Sequence, residues 1–528
     1  MLALFWSCTC APSGVPPDES VVVESEGDSP DSEGVPDPGM PEFPEVIDVL
    51  HVTMLPSDTS EYSGTDDVLT LCLGEEHCLE LAKPDWNDNE HGIVDVHVEE
   101  DFGLSRADVQ DLTWSIDDGG DQYRPGCIAV SFDGEPIHCK SDYEVKLGTD
   151  DEDEVASLSE AAVLDCLGCW ETPLTHGPLV GPVTAEGVRI WYRTDATRQV
   201  KLSVDGRLRH IGYPLAADDF AEEVVLEGIA PPFEYSLEIE GQTLGPWTVE
   251  EPAEQLRIAF GSCSKDDDQP IFSAIRAYEP DVFLFIGDNH YANTNDLGAL
   301  RQWYRWAHER DERREMLAET SIVATWDDHD YVGNNTDASD PGGDVAKRVF
   351  DEYWANTIPS RHVVGEVEFF LLDDRSHRGE DDSMLGGEQT AWLVGALHDS
   401  SATWKLVASG SQFTQEGSED SWANFPEDWT ALLEATADVP GLVLLSGDVH
   451  RSEFRLLPGA SYDLPELTSS PLATWNSPCQ EESWTVCEDE GVFFIGMVVS
   501  SDQLVATLHD VDGVELASWT IEASELEP

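Results

Sequence analysis

The sequence predicts an α/β domain preceded by two all-β domains, and three observations carry that prediction. From residue 256 onward, short apolar runs alternate with stretches of helical spacing, the pattern of a buried sheet joined by helices. Residues 170–250 hold strand-like runs at 188–192, 200–204, 224–226 and 235–239 separated by Gly and Pro turns, as in an immunoglobulin-like or fibronectin-like sandwich. Residues 46–142 alternate in the same way, with strands such as 68–71 and 127–130 spaced by Gly and Asp turns.

The remaining segments follow in chain order. Residues 1–10 are apolar and reach Cys8 quickly, so they read as the remnant of a signal peptide with a lipid-modified Cys8, although no Lys or Arg comes before Lys83. Residues 11–45 are a mixture of Pro, Gly, Ser, Asp and Glu too poor in apolar side chains to fold, and read as an acidic disordered tether. Residues 143–169 read as a second acidic linker. The α/β domain then spans 256–524, with helices expected at 271–278, 297–317 and 388–397 and a return to strands after 491. A chain of 528 residues is too long for one core, which suits several folded units plus a tether.

Charge narrows the function. The chain has 27 Lys and Arg against 108 Asp and Glu, a formal net charge of −81. A polyanion of this kind repels nucleic acid, so no nucleic-acid-binding surface is expected. An anionic phosphoester also meets repulsion unless bound cations reverse the local field.

Most of the eleven cysteines fall into close pairs: Cys72 with Cys78, Cys127 with Cys139, Cys166 with Cys169, and Cys479 with Cys487. Taken as disulfides, these leave Cys263 as the free thiol inside the α/β domain. That usage points to an exported protein, in the periplasm, at the cell surface or outside the cell.

Four apolar runs of the α/β domain each end in metal-binding residue types. Residues 258–260 lead into Gly261-Ser262-Cys263, residues 282–286 into Gly287-Asp288-Asn289, residues 322–324 into Trp326-Asp327-Asp328-His329-Asp330, and residues 442–445 into Ser446-Gly447-Asp448-Val449-His450. In sheets covered on both faces, ligands gather beyond the carboxyl ends of the strands, so these distant residues can converge. A thiolate, carboxylates, an amide and imidazoles in one crevice would bind metal. If one carboxylate bridges two cations, the crevice is suited to phosphoester hydrolysis.

Residues 178–521 resemble the PhoD-like alkaline phosphatases, a branch of the calcineurin-like metallophosphoesterases. The matching stretches are Gly177-Pro178-Leu179-Val180-Gly181 with Arg189-Ile190-Trp191-Tyr192-Arg193-Thr194, the four loops above, Leu371-Leu372-Asp373-Asp374-Arg375, Leu385-Gly386-Gly387-Glu388-Gln389 and Ser421-Trp422-Ala423-Asn424-Phe425-Pro426. The resemblance implies a four-layer α/β/β/α metallophosphatase sandwich behind an Ig-like domain, with Fe³⁺ and Ca²⁺ as its metals. Residues 46–142 also resemble a PLAT domain, through Ser63-Gly64-Thr65-Asp66-Asp67, the acidic turn Asp117-Asp118-Gly119-Gly120-Asp121 and the strand that follows. Such a domain, or a lipid anchor, would bring the protein to a membrane surface.

The expected metal ligands are Cys263, Asp288, Asp328, Asn334, Asp448 and His450, the last of which could instead orient the phosphate. Cys263 stands where the wider superfamily has an aspartate, and its thiolate favours iron. Asp288 is the expected bridge. Asn334 is assigned by the resemblance, with Asn335 as its rival, and Tyr291 and Tyr304 compete as a phenolate ligand. His329 is the expected general acid or hydrogen-bond donor to the phosphoryl group. Arg375 is the expected phosphate clamp, with Arg378 second. The predicted function is hydrolysis of phosphate esters by a hydroxide that a binuclear metal site activates. Two alternatives stand beside it: a phosphodiesterase or phospholipase acting on surface polymers or lipids, and a non-catalytic Ca²⁺-binding surface protein on a phosphatase scaffold.

Overall fold

The computed structural model describes residues 35–44, 46–56, 69–73, 77–80, 94–99, 102–105, 109, 112–116, 125–141, 156–158 and 169–528, except 171, 253–254, 266–267, 414–419 and 480–483. The expected signal remnant 1–10, residues 11–34 of the tether, the turns at 63–67 and 117–121, and Cys166 lie outside the described residues.

Two four-stranded antiparallel sheets build the N-terminal unit. One orders Val94–Glu99, Val49–Pro56, Pro125–Phe132 and Glu135–Ser141; the other orders His77–Glu80, Leu69–Leu73, Leu112–Ile116 and Ala156–Leu158. Alternate residues of both sheets, among them Leu50, Val52, Leu71, Val96 and Ile128, share one core. The strand Ala156–Leu158 pairs with Leu112–Trp114, so the segment read as linker 143–169 contributes to the sheet. The tether's last residues are also engaged: Asp37 accepts hydrogen bonds from Gln199 and Tyr213.

The disulfide pattern corrects the sequence-based pairing. Cys72–Cys78 and Cys479–Cys487 form as expected, but Cys127 bonds Cys169, and Cys139 is disulfide-bonded as well. Register explains the change: Cys127 lies opposite Ser141 and Cys139 opposite Ala129, so the two thiols do not face each other across the hairpin. Cys263 is the free cysteine among the described residues and is buried.

A second all-β unit pairs a three-stranded sheet, Ala221–Glu227, Gly187–Thr194 and Leu174–Val180, with a four-stranded one, Arg207–Gly212, Val200–Val204, Phe233–Ile239 and Gln242–Val249. In the strand Phe233–Ile239 every second residue is buried, which puts Phe233, Tyr235, Leu237 and Ile239 into the core shared with Val188, Ile190 and Val200.

The α/β domain stacks two mixed sheets. The first orders Ser321–Thr325, Val282–Ile286, Leu256–Gly261, Phe493–Val499, Gln503–Asp510 and Glu515–Glu522; the second orders Ser360–Val364, Val367–Leu371, Trp404–Ala408, Leu442–Ser446, Leu464–Thr468, Ser452–Leu457 and Trp484–Glu488. The first three strands of the first sheet run parallel, as do Val367–Leu371, Trp404–Ala408, Leu442–Ser446 and Leu464–Thr468 in the second. Strand alternation sorts the layers. Phe369, Leu406, Val443 and Leu445 join the core shared with the first sheet, while Phe370, Val407, Leu442 and Leu444 pack with Leu393, Leu397 and Leu432 of the helices Gly386–Asp399 and Pro426–Ala435. Helices Ile271–Tyr278, Leu297–Glu309 and Gly343–Tyr353 cover the first sheet, giving four layers. The single helix expected over 297–317 is two, Leu297–Glu309 and Asp311–Glu319, because Arg310 leaves helical geometry at ψ 123°.

Candidate metal centre

Each of the four loops begins where a buried strand ends. Cys263 follows Leu256–Gly261, Asp288 follows Val282–Ile286, Asp327 and Asp328 follow Ser321–Thr325, and Asp448 and His450 follow Leu442–Ser446. Backbone hydrogen bonds fasten the loops together. Cys263 N–H donates to Gly287 O at 3.2 Å, Ser264 N–H to Asp288 O at 2.9 Å, Leu472 N–H to Ser262 O at 2.8 Å and Gly447 N–H to Gly410 O at 2.9 Å. The Leu472–Ser262 bond joins one sheet to the other, and the Gly447–Gly410 bond ties two neighbouring loops of the second sheet.

Left-handed backbone concentrates here. Cys263, Asp288, Asp448 and His450 have φ of 61°, 51°, 66° and 53°. Each such non-glycine residue costs on the order of 1–3 kcal/mol, and strain of that kind persists where the surroundings impose it. Two glycines make room for the turns. A Cβ on Gly287 (φ 87°) would lie 2.5 Å from Asp327 Cβ, and one on Gly447 would lie 2.5 Å from Ser262 Oγ.

Two groups of side chains come close enough to hold an ion: Cys263, Asp288 and His450, and Asp288, Asp328 and His329. Asp288 belongs to both. Cys263 Sγ is 3.5 Å from Asp288 Oδ2 and 3.7 Å from the Asp448 carbonyl oxygen. Tyr291 O–H donates to Asp288 Oδ2 at 3.0 Å and lies 3.1 Å from His450 Nε2, which places Tyr291 at the cluster. Tyr304 instead stacks on Tyr353 in the core, with its ring edge-to-face with His290. The sequence signal for Tyr291 was its place three residues after Asp288 on the same loop.

Electrostatics explain why this cluster suits cations. Burial, then the charges of Asp328, Asp327, Asp330 and Asp448, push the Asp288 carboxyl well above the usual carboxylate range. Burial with Asp328 and Asp420 does the same to Asp448. Burial and Asp288 raise the Cys263 thiol, and burial with Asp288 and Cys263 raises the Tyr291 phenol. Asp328 runs the other way: burial would raise it, but Arg375, His329 and the Asn335 N–H outweigh that and lower it. Asp328 Oδ1 is buried with no hydrogen-bond partner. Burial lowers both imidazoles, His450 to about 4, which favours the neutral ring with a lone pair to offer. Crowded carboxylates, a thiol, a phenol and neutral imidazoles make a donor set that cations would satisfy.

The other expected residues are placed differently. His329 is partly buried, and its Nδ1 lies against Asn293 Oδ1 while its ring packs 4.1 Å from that of Tyr291. Asn334 is exposed, and its amide donates to Asn335 Oδ1. Arg375 is the clear correction. It is fully buried, with Nε donating to Asp327 Oδ1 at 2.7 Å, Nη1 to Thr336 O and Asp420 Oδ1, and Nη2 to Asp420 Oδ2 at 2.7 Å and Ser411 Oγ at 2.9 Å. Its planar fork is saturated by protein oxygens, so it holds loops together and has no N–H left to clamp a phosphate. Arg378 is likewise buried, and it pairs with Asp420 and Ser411. Sequence reasoning also missed Lys265, Asn293 and Trp475, which line the mouth and lie outside the strand-end pattern.

Comparison with known proteins bears on the fold around this crevice. The profile of the PhoD-like phosphatase family matches residues 258–481. Alkaline phosphatase D of Bacillus subtilis (strain 168) is 23% identical over 269 residues, which is 38% of this chain and 46% of that protein, so the match spans less than half of the relative. A solved structure of PhoD superposes with a TM-score of 0.57 at 16% identity, covering 68% of this chain and 92% of that one. The purple acid phosphatase PPD1 from seeds of yellow lupin, Lupinus luteus, has a TM-score of 0.52 at 13% identity and covers 90% of each chain. Both structures share the mixed α/β fold.

Proposed function

We propose, from the match of residues 258–481 to the PhoD-like phosphatase family, that the protein is an exported, metal-dependent phosphoesterase. The observation that carries the reading is the sharing of Asp288 by two ligand groups in one buried crevice.

The donors differ on the two sides of Asp288. Cys263, Tyr291 and His450 offer a thiolate, a phenolate and an imidazole, a set that favours Fe³⁺. Asp328, with Asp448 and Asn334 as further candidates, makes an oxygen-rich side suited to Ca²⁺, and His329 stands beside it. When bound, such a pair of cations supplies a nucleophile from water at near-neutral pH and neutralises the phosphoryl oxygens.

The chain's own groups do the rest. The strained, interlocked loops hold the donors in place before substrate arrives. Asn293 Oδ1 accepts from His329 Nδ1 and fixes the ring, so Nε2 carries the lone pair of the neutral imidazole; it takes a proton from the attacking water and then hands that proton to the leaving oxygen. Arg375 positions the site from behind by fixing Asp327, whose backbone N–H and side chain form a capping box with Asp330 at the start of the loop helix.

The disulfides Cys72–Cys78, Cys127–Cys169 and Cys479–Cys487 suit maturation in an oxidising compartment. Among the described residues no helix is long and apolar enough to cross a membrane.

Metal analysis of the purified protein beside Cys263→Ala, with phosphoesterase activity assayed on the same samples, tests the reading. Iron and calcium that fall together with activity in the variant support it. Full metal content and activity without the thiol would sink it.

A further inference from the structure

Arg375 and Arg378 are both buried in ion pairs, so the expected arginine clamp does not face the substrate. A different cation stands at the mouth. Lys265 is exposed and, among the described residues, forms no ion pair, although the chain carries 108 acidic residues. Its ammonium lies 5.0 Å from the Trp475 ring centroid and 6.0 Å from that of Tyr291, whose hydroxyl touches Asp288.

Trp475 is the most exposed large apolar side chain among the described residues, at 55%. A surface indole is ordinary by itself, but this one is built into the rim of the crevice. Its ring meets His450 edge-on at 4.8 Å and lies 6.4 Å from Tyr291. Its segment is tied down on both sides: Lys265 N–H donates to Ala473 O at 2.7 Å, Ala473 N–H to Cys263 O at 3.0 Å and Ser477 N–H to His450 O at 2.9 Å. The backbone that sets Cys263 and His450 therefore also sets Lys265 and Trp475.

We propose that Lys265 and Trp475 form an outer subsite for the leaving group, and that it selects phosphoesters carrying a planar aromatic ring. This rests on the phosphoesterase reading above. Lys265 meets the phosphate charge as the ester enters, and the exposed indole packs against the ring. An alkyl ester finds the same cation but little area to cover.

Calorimetric binding of phenylphosphonate and methylphosphonate to the metal-loaded protein tests the subsite without turnover. The wild type is expected to bind the phenyl compound about tenfold tighter, the order of one aromatic contact. Trp475→Ala should bring the two affinities within about twofold, and Trp475→Phe should restore most of the difference. Lys265→Gln should weaken both compounds by a similar factor. Equal affinities in the wild type, or an unchanged ratio in Trp475→Ala, would overturn the proposal. A wild type that discriminates between the phosphonates but hydrolyses no ester would support the subsite and refute the phosphoesterase reading, so the two failures are separable.

Discussion

Asp219 offers the sharpest test of how the three folded units are held together. It is fully buried where they meet, and each unit sends it a partner. His97 Nδ1 of the N-terminal unit lies 3.2 Å from its carboxylate, Arg193 Nε of the second unit donates to it at 3.2 Å, and Arg305 and the Tyr353 hydroxyl of the α/β domain donate to the same oxygen, Oδ2. Burial alone would raise this carboxyl, but Arg193, Arg305 and His97 hold it well below the usual range. A unit pair at 4 Å in an effective dielectric of 20 is worth about 4 kcal/mol before desolvation is subtracted. Removing one partner of a buried network and leaving two guanidinium groups uncompensated costs about 3–5 kcal/mol. Asp219→Ala should therefore lower the unfolding midpoint clearly, and amide exchange should quicken in Val94–Glu99 and Val49–Pro56, the strands that carry His97 and the His51 that meets Arg193. The sign of the pH effect follows from the depressed carboxyl. The stabilisation is complete above the unfolded pKa of about 3.9 and is lost as pH falls below it, so wild type and variant should converge in acid. Equal midpoints at pH 7, or unchanged exchange in those two strands, would refute the reasoning.

Three further outcomes are expected. Arg375→Ala, which strands the Asp327 and Asp420 carboxylates, should lose stability by about 3–5 kcal/mol in denaturant unfolding, and Arg375→Lys should not restore the forked contacts; a variant of normal stability with only a raised KM would return Arg375 to the role of clamp. Chelation should lower the thermal midpoint, because a cation bound at a thousand times its dissociation constant stabilises the fold by about 4 kcal/mol; a midpoint indifferent to chelator would mean that no cation occupies the crevice. With a net charge of −81, kcat/KM for an anionic ester should rise as ionic strength goes from about 10 to 150 mM, over which the screening length shrinks from about 30 to 8 Å, and a falling profile would locate an unrecognised positive field.

The strand ends were legible because their chemistry is periodic and local. A run such as residues 282–286, apolar at every position, has to be covered on both faces, and the polar residues after it have to open into the crevice beyond the sheet. That logic found Cys263, Asp288, Asp328 and His450, which the structure brings together. It failed at Arg375 for a physical reason: an arginine at a strand end looks the same in sequence whether its fork meets a substrate or Asp327 and Asp420, residues 48 positions upstream and 45 downstream. It failed at Cys127 because closeness in sequence is not opposition across a hairpin, where a shift of two residues puts Ser141 rather than Cys139 opposite the thiol.

The composition hid one more feature. Net charge counts arginines and aspartates without saying where they lie, and here the fully buried large side chains include Arg193, Arg301, Arg305, Arg313, Arg375 and Arg451. Arg193 and Arg305 serve Asp219, Arg301 bridges Glu352 and Glu99, Arg375 serves Asp327 and Asp420, and Arg451 serves Glu453. Most of these scarce cations are thus drawn to carboxylates inside the protein, where an unpaired charge is most costly. In the metal crevice the same demand goes unmet by the protein: Asp288 and Asp448 face other carboxylates, and the nearest guanidinium, that of Arg375, is bonded to Asp327 and Asp420. The place where the chain withholds its own cations is the place where the ligand groups converge, which is the arrangement expected if bound metal supplies the missing charge.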